Sequence, residues 1–262
     1  YLKQAADQNY DLAQYNLGFI YEKMQEIKKS IFYYSLAANQ GDENALINLG
    51  TIYYYGTKCK RDISKAIHYF TLAANKNNPL AQTYLGIIYS NYDNNKSLNY
   101  FLLAANQNEE NAQYFLGLSY YKGEKVKRDY SKAIHYLTLA SQKNEFRSNL
   151  LLGIIYLEKN IPRNVDKAMY YFNLAVKSKN PQVLGYVADI YLHNPYIPHD
   201  FKKALHYYEL AAEQNENESQ YSLGEIYENG EYVHRDIKKA LYYYTLSAKQ
   251  NNSKALYKLG IF

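Results

Sequence analysis

The sequence predicts an all-α fold, a right-handed superhelical solenoid built from antiparallel helix hairpins. The main observation is a small residue three positions before a tyrosine, which returns along the whole chain of 262 residues. The pairs are Gly18 with Tyr21, Gly50 with Tyr53, Gly86 with Tyr89, Gly117 with Tyr120, Gly153 with Tyr156, Ala188 with Tyr191 and Gly224 with Tyr227, and Gly260 begins another. Successive small residues lie 32, 36, 31, 36, 35, 36 and 36 positions apart. A period near 36 predicts stacked like units whose output is a surface rather than one catalytic cleft.

The first element of each unit, helix A, carries apolar and small residues on one face. In one unit these are Ala45, Leu49, Gly50 and Tyr53, whose spacings of four, one and three fit a helix. Glycine inside a helix costs roughly 0.5–1 kcal/mol relative to alanine. Its return at one position therefore predicts the close approach of a neighbouring helix. Pro79 fits the first turn of such a helix.

The second element, helix B, begins with a capping Asp or Asn, followed by Lys, a small residue, aromatic residues and a closing Leu-Ala. One unit carries Asp62, Lys65, Ala66, Tyr69 and Phe70, and the pattern returns from Asp129 and from Asp236. The capping carboxylate is placed to bind free amide hydrogens and to oppose the helix dipole. An Asn or Gly then closes helix B.

The loop between helices A and B varies in length. Three units carry a glycine six residues after the helix A glycine, and an apolar residue that we expect to be buried follows, then Arg and Asp. The glycines are Gly56, Gly123 and Gly230, and the apolar residues are Cys59, Val126 and Val233. Variation confined to one loop is what a helical hairpin repeat tolerates best.

These motifs, Ala-x3-Leu-Gly-x2-Tyr, a Gly loop, Asp-x2-Lys-Ala and a closing Leu-Ala-Ala, resemble the Sel1-like repeat family, a subgroup of the tetratricopeptide-like solenoids. The resemblance covers the chain, so we expect one domain at 1–262. Its parts are a partial unit at 1–10, full units at 11–42, 43–78, 79–109, 110–144, 145–180, 181–216 and 217–252, and a partial unit at 253–262. The resemblance implies a non-catalytic scaffold or adaptor for protein complexes, with helix A lining a concave face.

On that face, the positions three before, one after and four after each helix A glycine form a second stripe. The stripe is apolar in the middle units and turns acidic towards the end. We expect the first two positions to be largely buried between neighbouring A helices and the third to face out. A partner peptide or helix would then be bound by exposed side chains on the concave wall. The candidates are Tyr54, Tyr121, Leu157, Leu192 and Glu228.

A second surface is the loop edge, from which basic side chains are expected to project. They are Lys58, Lys60 and Arg61 in one unit and Lys125, Lys127 and Arg128 in another. They form either solvated loop charge, with each Arg serving locally beside the capping Asp, or a docking strip for an acidic partner or nucleic acid. The net charge of +5 from 30 basic and 25 acidic residues is mild, so nucleic acid is the less favoured partner.

The sequence predicts no catalytic residues, no metal and no cofactor. His68, His135 and His206 share a helix B position that Asn99 fills elsewhere, so they are not a metal-ligand set. The capping aspartates recur as caps rather than as acid–base pairs. Cys59 stands where other units carry valine, which indicates packing. A hydrolase-like enzyme is a remote alternative, since a few Sel1-like proteins have been credited with that activity.

The single cysteine, Cys59, cannot form an intrachain disulfide, which favours a reducing compartment and a cytoplasmic protein. No stretch approaches the ~20 apolar residues needed to span a bilayer. Both ends of the chain are half units, and an end repeat without a polar cap leaves apolar surface open. Self-association through the end repeats is therefore a further expectation.

Overall fold

The predicted all-α fold is confirmed. A computed structural model describes residues 1–124 and 126–262, and within them the chain forms sixteen α-helices and one short 3-10 helix, with no β-strand. The helices form two compact units, Tyr1–Lys143 and Asn144–Phe262. Helices A and B alternate in each. That the whole chain is one domain remains a prediction.

In the first compact unit the A helices are α2 (Asp11–Lys23), α4 (Glu43–Tyr55), α6 (Pro79–Tyr89) and α8 (Glu110–Lys122). Its B helices are α1 (Leu2–Asp7), α3 (Ile27–Asn39), α5 (Ile63–Asn75), α7 (Asn94–Asn106) and α9 (Tyr130–Ser141). In the second unit the A helices are α10 (Phe146–Leu157), α12 (Pro181–His193), α14 (Asn217–Asn229) and α16 (Ser253–Ile261). Its B helices are α11 (Val165–Ala175), which continues as the 3-10 helix Val176–Ser178, α13 (Phe201–Glu213) and α15 (Ile237–Ala248).

Side-chain caps begin the B helices as the sequence predicts. The Asp62 carboxylate accepts a hydrogen bond of 3.0 Å from the amide of Lys65. The same bond forms at Asp93, Asp129, Asn164, Asp200 and Asp236. Helices α1 and α3 differ, because their capping positions, Tyr1 and Glu26, make no such bond. The caps satisfy amide hydrogens that have no partner inside the helix.

The helix A glycine packs against a large side chain of helix B in the same hairpin. A Cβ added at Gly50 would lie 2.5 Å from a ring carbon of Phe70, and one added at Gly153 would lie 2.4 Å from Phe172. The equivalent side chains at Gly18, Gly86, Gly117 and Gly224 are Tyr34, Phe101, Leu137 and Tyr244. The close helix approach predicted from the glycines is therefore present. Because the rings are buried, this glycine contact lies in the core of each hairpin.

The tyrosine three residues after the small residue stacks on a tyrosine of helix B. In seven hairpins the two ring centroids are 5.5–6.2 Å apart; six of these pairs are stacked, and the Tyr191–Tyr207 pair is tilted by 43°. A lysine in the first turn of helix B lies over the helix A ring, with its ammonium nitrogen 4.8–5.2 Å from the centroid. The recurring tyrosine and lysine thus stabilise the hairpin together.

The turns from helix B to helix A contain one residue with a left-handed backbone. Positive φ angles of 55° to 89° occur at Asn9, Gly41, Asn77, Asn108, Asn144, Lys179, Asn215 and Asn251. Asparagine tolerates this conformation better than other side chains do. The asparagines that close helix B are therefore turn residues.

The apolar loop residues are less covered than expected. Cys59, Val126 and Val233 are half-buried rather than buried. The loop runs over the surface, so the hairpin covers these side chains from one side only.

Candidate partner-binding surface

Neighbouring A helices contact each other in the first compact unit, α2 with α4 and α6 with α8. We call the side chains three before, one after and four after each helix A small residue the A surface. The position one after the small residue is the most open, since Phe19 is 45% exposed and Asp189 is exposed. The position four after is half-buried or buried. The expected order of exposure is therefore wrong, because this end of helix A packs against neighbouring side chains.

Tyr54 illustrates this packing. It is half-buried, and its ring lies 5.7 Å from that of Tyr84 on the next A helix and 4.9 Å from that of Tyr55. The guanidinium of Arg61 lies 5.7 Å from the Tyr54 ring centroid. Tyr55, which the sequence analysis did not single out, is 57% exposed. The open part of this aromatic cluster is therefore Tyr55 rather than Tyr54.

Tyr121 and Leu157 are half-buried as well. The Tyr121 ring meets Tyr130 edge to face, with 6.2 Å between centroids. Leu157 lines an open cavity of 350 Å³ between α10 and α12, together with Ile154, Tyr186 and other side chains. Both residues keep part of their apolar surface accessible to a partner.

Leu192 does not face out. It is only 5% exposed and belongs to the hydrophobic core of the second compact unit, with Val187, Ile190 and Ile197. One edge of it borders a polar cavity between α12 and α14. The expectation that Leu192 is an exposed anchor is wrong, since its side chain is buried in this core.

Glu228 is engaged inside the protein. It accepts hydrogen bonds from the Tyr244 hydroxyl and from Lys258, whose Nζ lies 2.7 Å away. Burial alone would raise the pKa of Glu228, but the bonds from Lys258 and Tyr244 outweigh it and lower the pKa.

Glu22 has the same arrangement in the first compact unit. The Tyr34 hydroxyl donates to it at 2.7 Å, and Lys58 Nζ lies 2.6 Å from Glu22 Oε1. Burial opposes ionisation, yet the bonds from Lys58 and Tyr34 lower the pKa of Glu22. Glu22 and Glu228 therefore stabilise the fold, although both belong to the A surface.

Asp189 is the third acid bound by a buried tyrosine. Tyr208 is only 1% exposed, and its hydroxyl donates a hydrogen bond to Asp189 Oδ1. The Asp189 side chain reaches solvent, but the surrounding protein still raises its pKa, and the bond from Tyr208 and the nearby His193 only partly offset this. Burial and, after it, the bond to the Asp189 carboxylate raise the pKa of Tyr208, so it stays a donor.

An apolar cavity of 170 Å³ opens between α6 and α8 in the first compact unit. The stacked rings of Phe101 and Phe115, 5.1 Å apart, lie beside it, and Ile87 and Leu118 of the A surface line it. Lys122 and Glu124 stand at its edge, 3.9 Å apart. It is an apolar recess with a charged rim.

The basic loop edge is largely engaged in local contacts. Arg61 Nε donates to the Tyr54 carbonyl at 3.0 Å, and Arg128 donates to the Lys122 carbonyl at 2.9 Å through Nη2. Both arginines thus bind carbonyls at the end of a helix A. Lys58 pairs with Glu22, whereas Lys60 and Lys127 are exposed. Lys125 lies outside the described residues.

The histidines of helix B give no sign of a metal site. His68, His135 and His206 are exposed and each packs beside the next tyrosine of helix B. Across residues 1–124 and 126–262, no group of three His, Cys, Asp or Glu side chains is close enough to hold a metal ion. In the same residues, no helix has both the length and the apolar character of a membrane span.

The family profile described as Sel1 repeat matches residues 11–42, 44–78, 79–109, 111–145, 147–180, 184–216 and 217–252. The chain belongs to the Sel1 repeat family. The seven matches follow the predicted hairpins. Sel1 repeat proteins generally mediate protein–protein interaction and are generally non-catalytic scaffolds. No curated protein matches the chain.

Solved structures resemble this Sel1 repeat chain over nearly its full length. A protective antigen of uropathogenic Escherichia coli that displays an SLR fold is 28% identical, with a TM-score of 0.78, and the match covers 98% of this chain and 57% of the antigen. A Sel1 repeat protein from Oxalobacter formigenes is 25% identical, with a TM-score of 0.79, over 99% of this chain and 78% of that one. The chain thus spans little more than half the length of the antigen.

A more distant likeness shows the fold alone. An immunity protein from Pseudomonas aeruginosa is 20% identical, with a TM-score of 0.52, over 71% of this Sel1 repeat chain and 73% of that protein.

Sequence reasoning missed the pairing of buried tyrosines with acids in this Sel1 repeat chain. Tyr34, Tyr208 and Tyr244 occupy the helix B position that is Phe70, Phe101, Leu137 or Phe172 elsewhere. Their hairpins are also the ones with an acid bound on the A surface. A hydroxyl at a position that is otherwise apolar was the signal, because a buried hydroxyl requires an acceptor.

Proposed function

We propose that this Sel1 repeat chain is a non-catalytic scaffold or adaptor that binds a helix or an extended peptide of a protein partner along its A surface. The observation that carries this proposal is the apolar cavity between α6 and α8. It is built from residues at the variable positions of the repeat, whereas the repeated Gly, Tyr and Lys residues are used for packing.

The size and lining of this cavity suit one hydrophobic side chain. Its 170 Å³ is close to a protein cavity of about 150 Å³ that holds benzene. Ile87 and Leu118 are half-buried and Phe115 stacks on Phe101, so the recess is preformed. Burial of an apolar side chain there would contribute about 1.5–3 kcal/mol. Such a filled pocket is the usual centre of a protein interface.

Charged side chains at the rim of the recess favour a partner with polar groups beside its inserted side chain. Lys122 and Glu124 stand beside the recess and are 3.9 Å apart, with both side chains about half exposed or more. An exposed pair of this kind is weak. It is therefore free to exchange for polar groups of the partner that flank the inserted side chain.

The proposal is tested by photocrosslinking combined with substitution. A photoreactive phenylalanine analogue at position 118 should crosslink the chain to its cellular partner. Leu118→Asp should abolish partner capture, because a carboxylate in the wall of the recess makes burial of an apolar side chain there unfavourable. The matched control places the same analogue, or an aspartate, at Leu103, which is 50% exposed on the B helix α7. Both variants should keep the wild-type circular dichroism spectrum.

Capture that survives Leu118→Asp, or crosslinks that form from position 103 and not from position 118, would contradict binding at this surface.

We propose the cytoplasm as the compartment, because the single cysteine, Cys59, is a free thiol. A thiol of this kind fits the reducing cytoplasm.

A further inference from the structure

Two hairpins each complete a triad of a buried tyrosine, a carboxylate and a lysine. In each triad the lysine comes from the following repeat and neutralises the acid that the tyrosine binds. The triads are Tyr34, Glu22 and Lys58 in the first compact unit and Tyr244, Glu228 and Lys258 in the second.

A third hairpin has the tyrosine and an acid but lacks the lysine, and its acid, Asp189, lies one residue after the helix A small residue rather than four after it. Tyr208 donates to Asp189. Lys258 lies two residues before Gly260, the helix A glycine of its repeat. In the repeat that follows Asp189, the residue two before the helix A glycine is Ser222. Lys58 lies eight residues after its glycine, and the matching residue there is Tyr232. Both places that supply the cation elsewhere are therefore uncharged.

A cavity of 280 Å³ lies where the lysine is missing. Tyr208, Ser222 and Tyr232 line it between α12 and α14, and Glu225 and Glu231 stand in its wall. Ser222 is next to the Tyr208 hydroxyl. The lining is mostly polar, in contrast to the apolar cavity between α6 and α8.

Within the described residues, neither the acids that line this cavity nor Asp189, which Tyr208 binds beside it, has a lysine or arginine partner. Among the described residues, no lysine or arginine forms an ion pair with Asp189, Glu225 or Glu231. Glu225 accepts a neutral hydrogen bond of 2.8 Å from Tyr221. Apart from the Tyr208 hydroxyl, the group that favours ionised Asp189 is His193, which is exposed. The raised pKa of Asp189 agrees with a missing positive charge, whereas paired Glu22 and Glu228 have lowered pKa values.

We propose that this cavity binds an arginine or lysine side chain of the partner protein, which completes the Tyr208–Asp189 pair from outside. The inference rests on the proposed function, because it assumes that a peptide lies on the A surface. A guanidinium in the cavity can donate to Glu225 and Glu231 with its planar fork, beside the Tyr208 hydroxyl that binds Asp189. It can also stack on the part of the Tyr232 ring that Phe201 leaves exposed. Arginine is therefore the better occupant.

The experiment uses a small probe, so that it does not depend on capture of the partner. The peptide acetyl-Gly-Arg-Gly-amide is titrated into the labelled chain while the backbone amide signals of Ser222 and His193 are followed by NMR. We expect a Kd of about 1 mM, which is ordinary for a single charged side chain. The peptide with citrulline in place of arginine, which has the same shape without the charge, should bind at least tenfold more weakly.

Two substitutions test the triad itself. Ser222→Lys places a lysine where Lys258 stands in the next repeat, so it should raise the Tm and abolish binding of the arginine peptide. Lys258→Ser makes the reverse change and should open a new site for that peptide beside Glu228, seen as shifts of the Glu228 amide. Asp189→Asn keeps an acceptor for Tyr208 and removes the charge, and it should weaken binding about tenfold.

Equal affinity for the arginine and citrulline peptides would overturn the proposal on the wild-type chain alone, even if a variant failed to fold. Unchanged binding by a folded Ser222→Lys variant would also overturn it. If the arginine peptide does not bind while Leu118→Asp still abolishes partner capture, only this inference fails and the proposed function stands.

Discussion

The ammonium nitrogen of Lys239 lies 4.8 Å from the centre of the Tyr227 ring, which stacks on Tyr243 with 5° between the ring planes. The backbone amide of Lys239 also donates the capping hydrogen bond to Asp236 Oδ1. The backbone of Lys239 thus helps to cap helix B, and its side chain makes the contact to helix A. The repeated Lys of the sequence motif has a physical reason in this double use.

We expect Lys239→Gln to lower the free energy of unfolding by about 0.5–1 kcal/mol, because the charge over the Tyr227 ring is lost while the backbone cap remains. Lys238→Gln is the control, since Lys238 is exposed on the same turn. It should change stability by less than about 0.5 kcal/mol. Urea unfolding followed by circular dichroism measures both, and equal effects would show that the ring contact adds nothing.

Substitution of the helix A glycine should be costly where helix B packs on it. Gly153→Ala brings a Cβ to 2.4 Å from the Phe172 ring, so we expect a loss of about 1–3 kcal/mol. At Gly260 no atom lies within 4 Å of the added Cβ. Gly260→Ala should therefore be neutral or stabilising by up to about 1 kcal/mol. Thermal unfolding distinguishes the two, and a stable Gly153→Ala variant would contradict the packing role.

A buried amide oxygen without a partner marks a place where the sequence can be improved. In three hairpins a glutamine at the end of helix B donates to a buried glutamine of helix A, at 2.8–2.9 Å. In the fourth, the Gln113 Oε1 atom is buried with no hydrogen bond, and the residue at the matching position is Lys143, which bonds to the Asn108 carbonyl instead.

We expect Lys143→Gln to stabilise the chain by about 1 kcal/mol, because it gives the Gln113 oxygen a donor. Lys76→Gln is the matched control. Lys76 binds the Gly41 carbonyl, and the helix A residue facing that position is Leu46, which offers no acceptor. A gain from Lys76→Gln equal to that from Lys143→Gln, measured by urea unfolding, would show that the cause lies elsewhere.

Much of the fold was predictable because the repeat imposes it. The spacing of Gly50 and Tyr53, and the cap at Asp62, fix helices A and B by local rules. The exposure of the binding candidates was not predictable in the same way. Leu192 and Glu228 hold equivalent repeat positions, yet one is buried in the hydrophobic core and the other is bound by Lys258. Such contacts depend on loops and on neighbouring repeats, which a periodic pattern does not describe.

Acid should weaken the chain through the paired glutamates. The folded-state pKa of Glu228 lies below its ordinary value of 4.5, so its contribution is present above pH 4.5 and is lost as the pH falls through the lowered pKa. Glu228→Gln should cost about 1 kcal/mol at pH 7, with a difference from wild type that shrinks below pH 4.5. A difference independent of pH would exclude the ion pair as its source.

Asp189 should behave in the opposite sense. Its folded-state pKa is raised, so the ionised form is disfavoured in the folded chain above that pKa and the penalty disappears as the pH falls below it. Asp189→Asn is therefore expected to equal or exceed the wild-type Tm at pH 7, with the advantage vanishing in acid. A clear loss of stability at pH 7 would show that the carboxylate is needed for the fold rather than for a ligand.

The half-buried positions four after glycine allow a separate test of partner binding. Tyr121→Ser and Leu157→Ser remove accessible apolar surface and should reduce partner capture while lowering the Tm only modestly. Leu72→Ser is the control, because Leu72 is 41% exposed on the B helix α5. Loss of the folded circular dichroism spectrum in the first two variants would identify them as core residues.

The contact between Gly153 and Phe172 joins residues only 19 positions apart, and the stacked tyrosines within each hairpin are equally close along the chain. A contact of this range costs little loop-closure entropy, so a hairpin can form quickly. During synthesis the chain emerges at about 5–20 residues per second. Each hairpin can therefore form its internal contacts soon after it leaves the ribosome, and it becomes stable when further hairpins stack on it, so the array can grow in the order of synthesis.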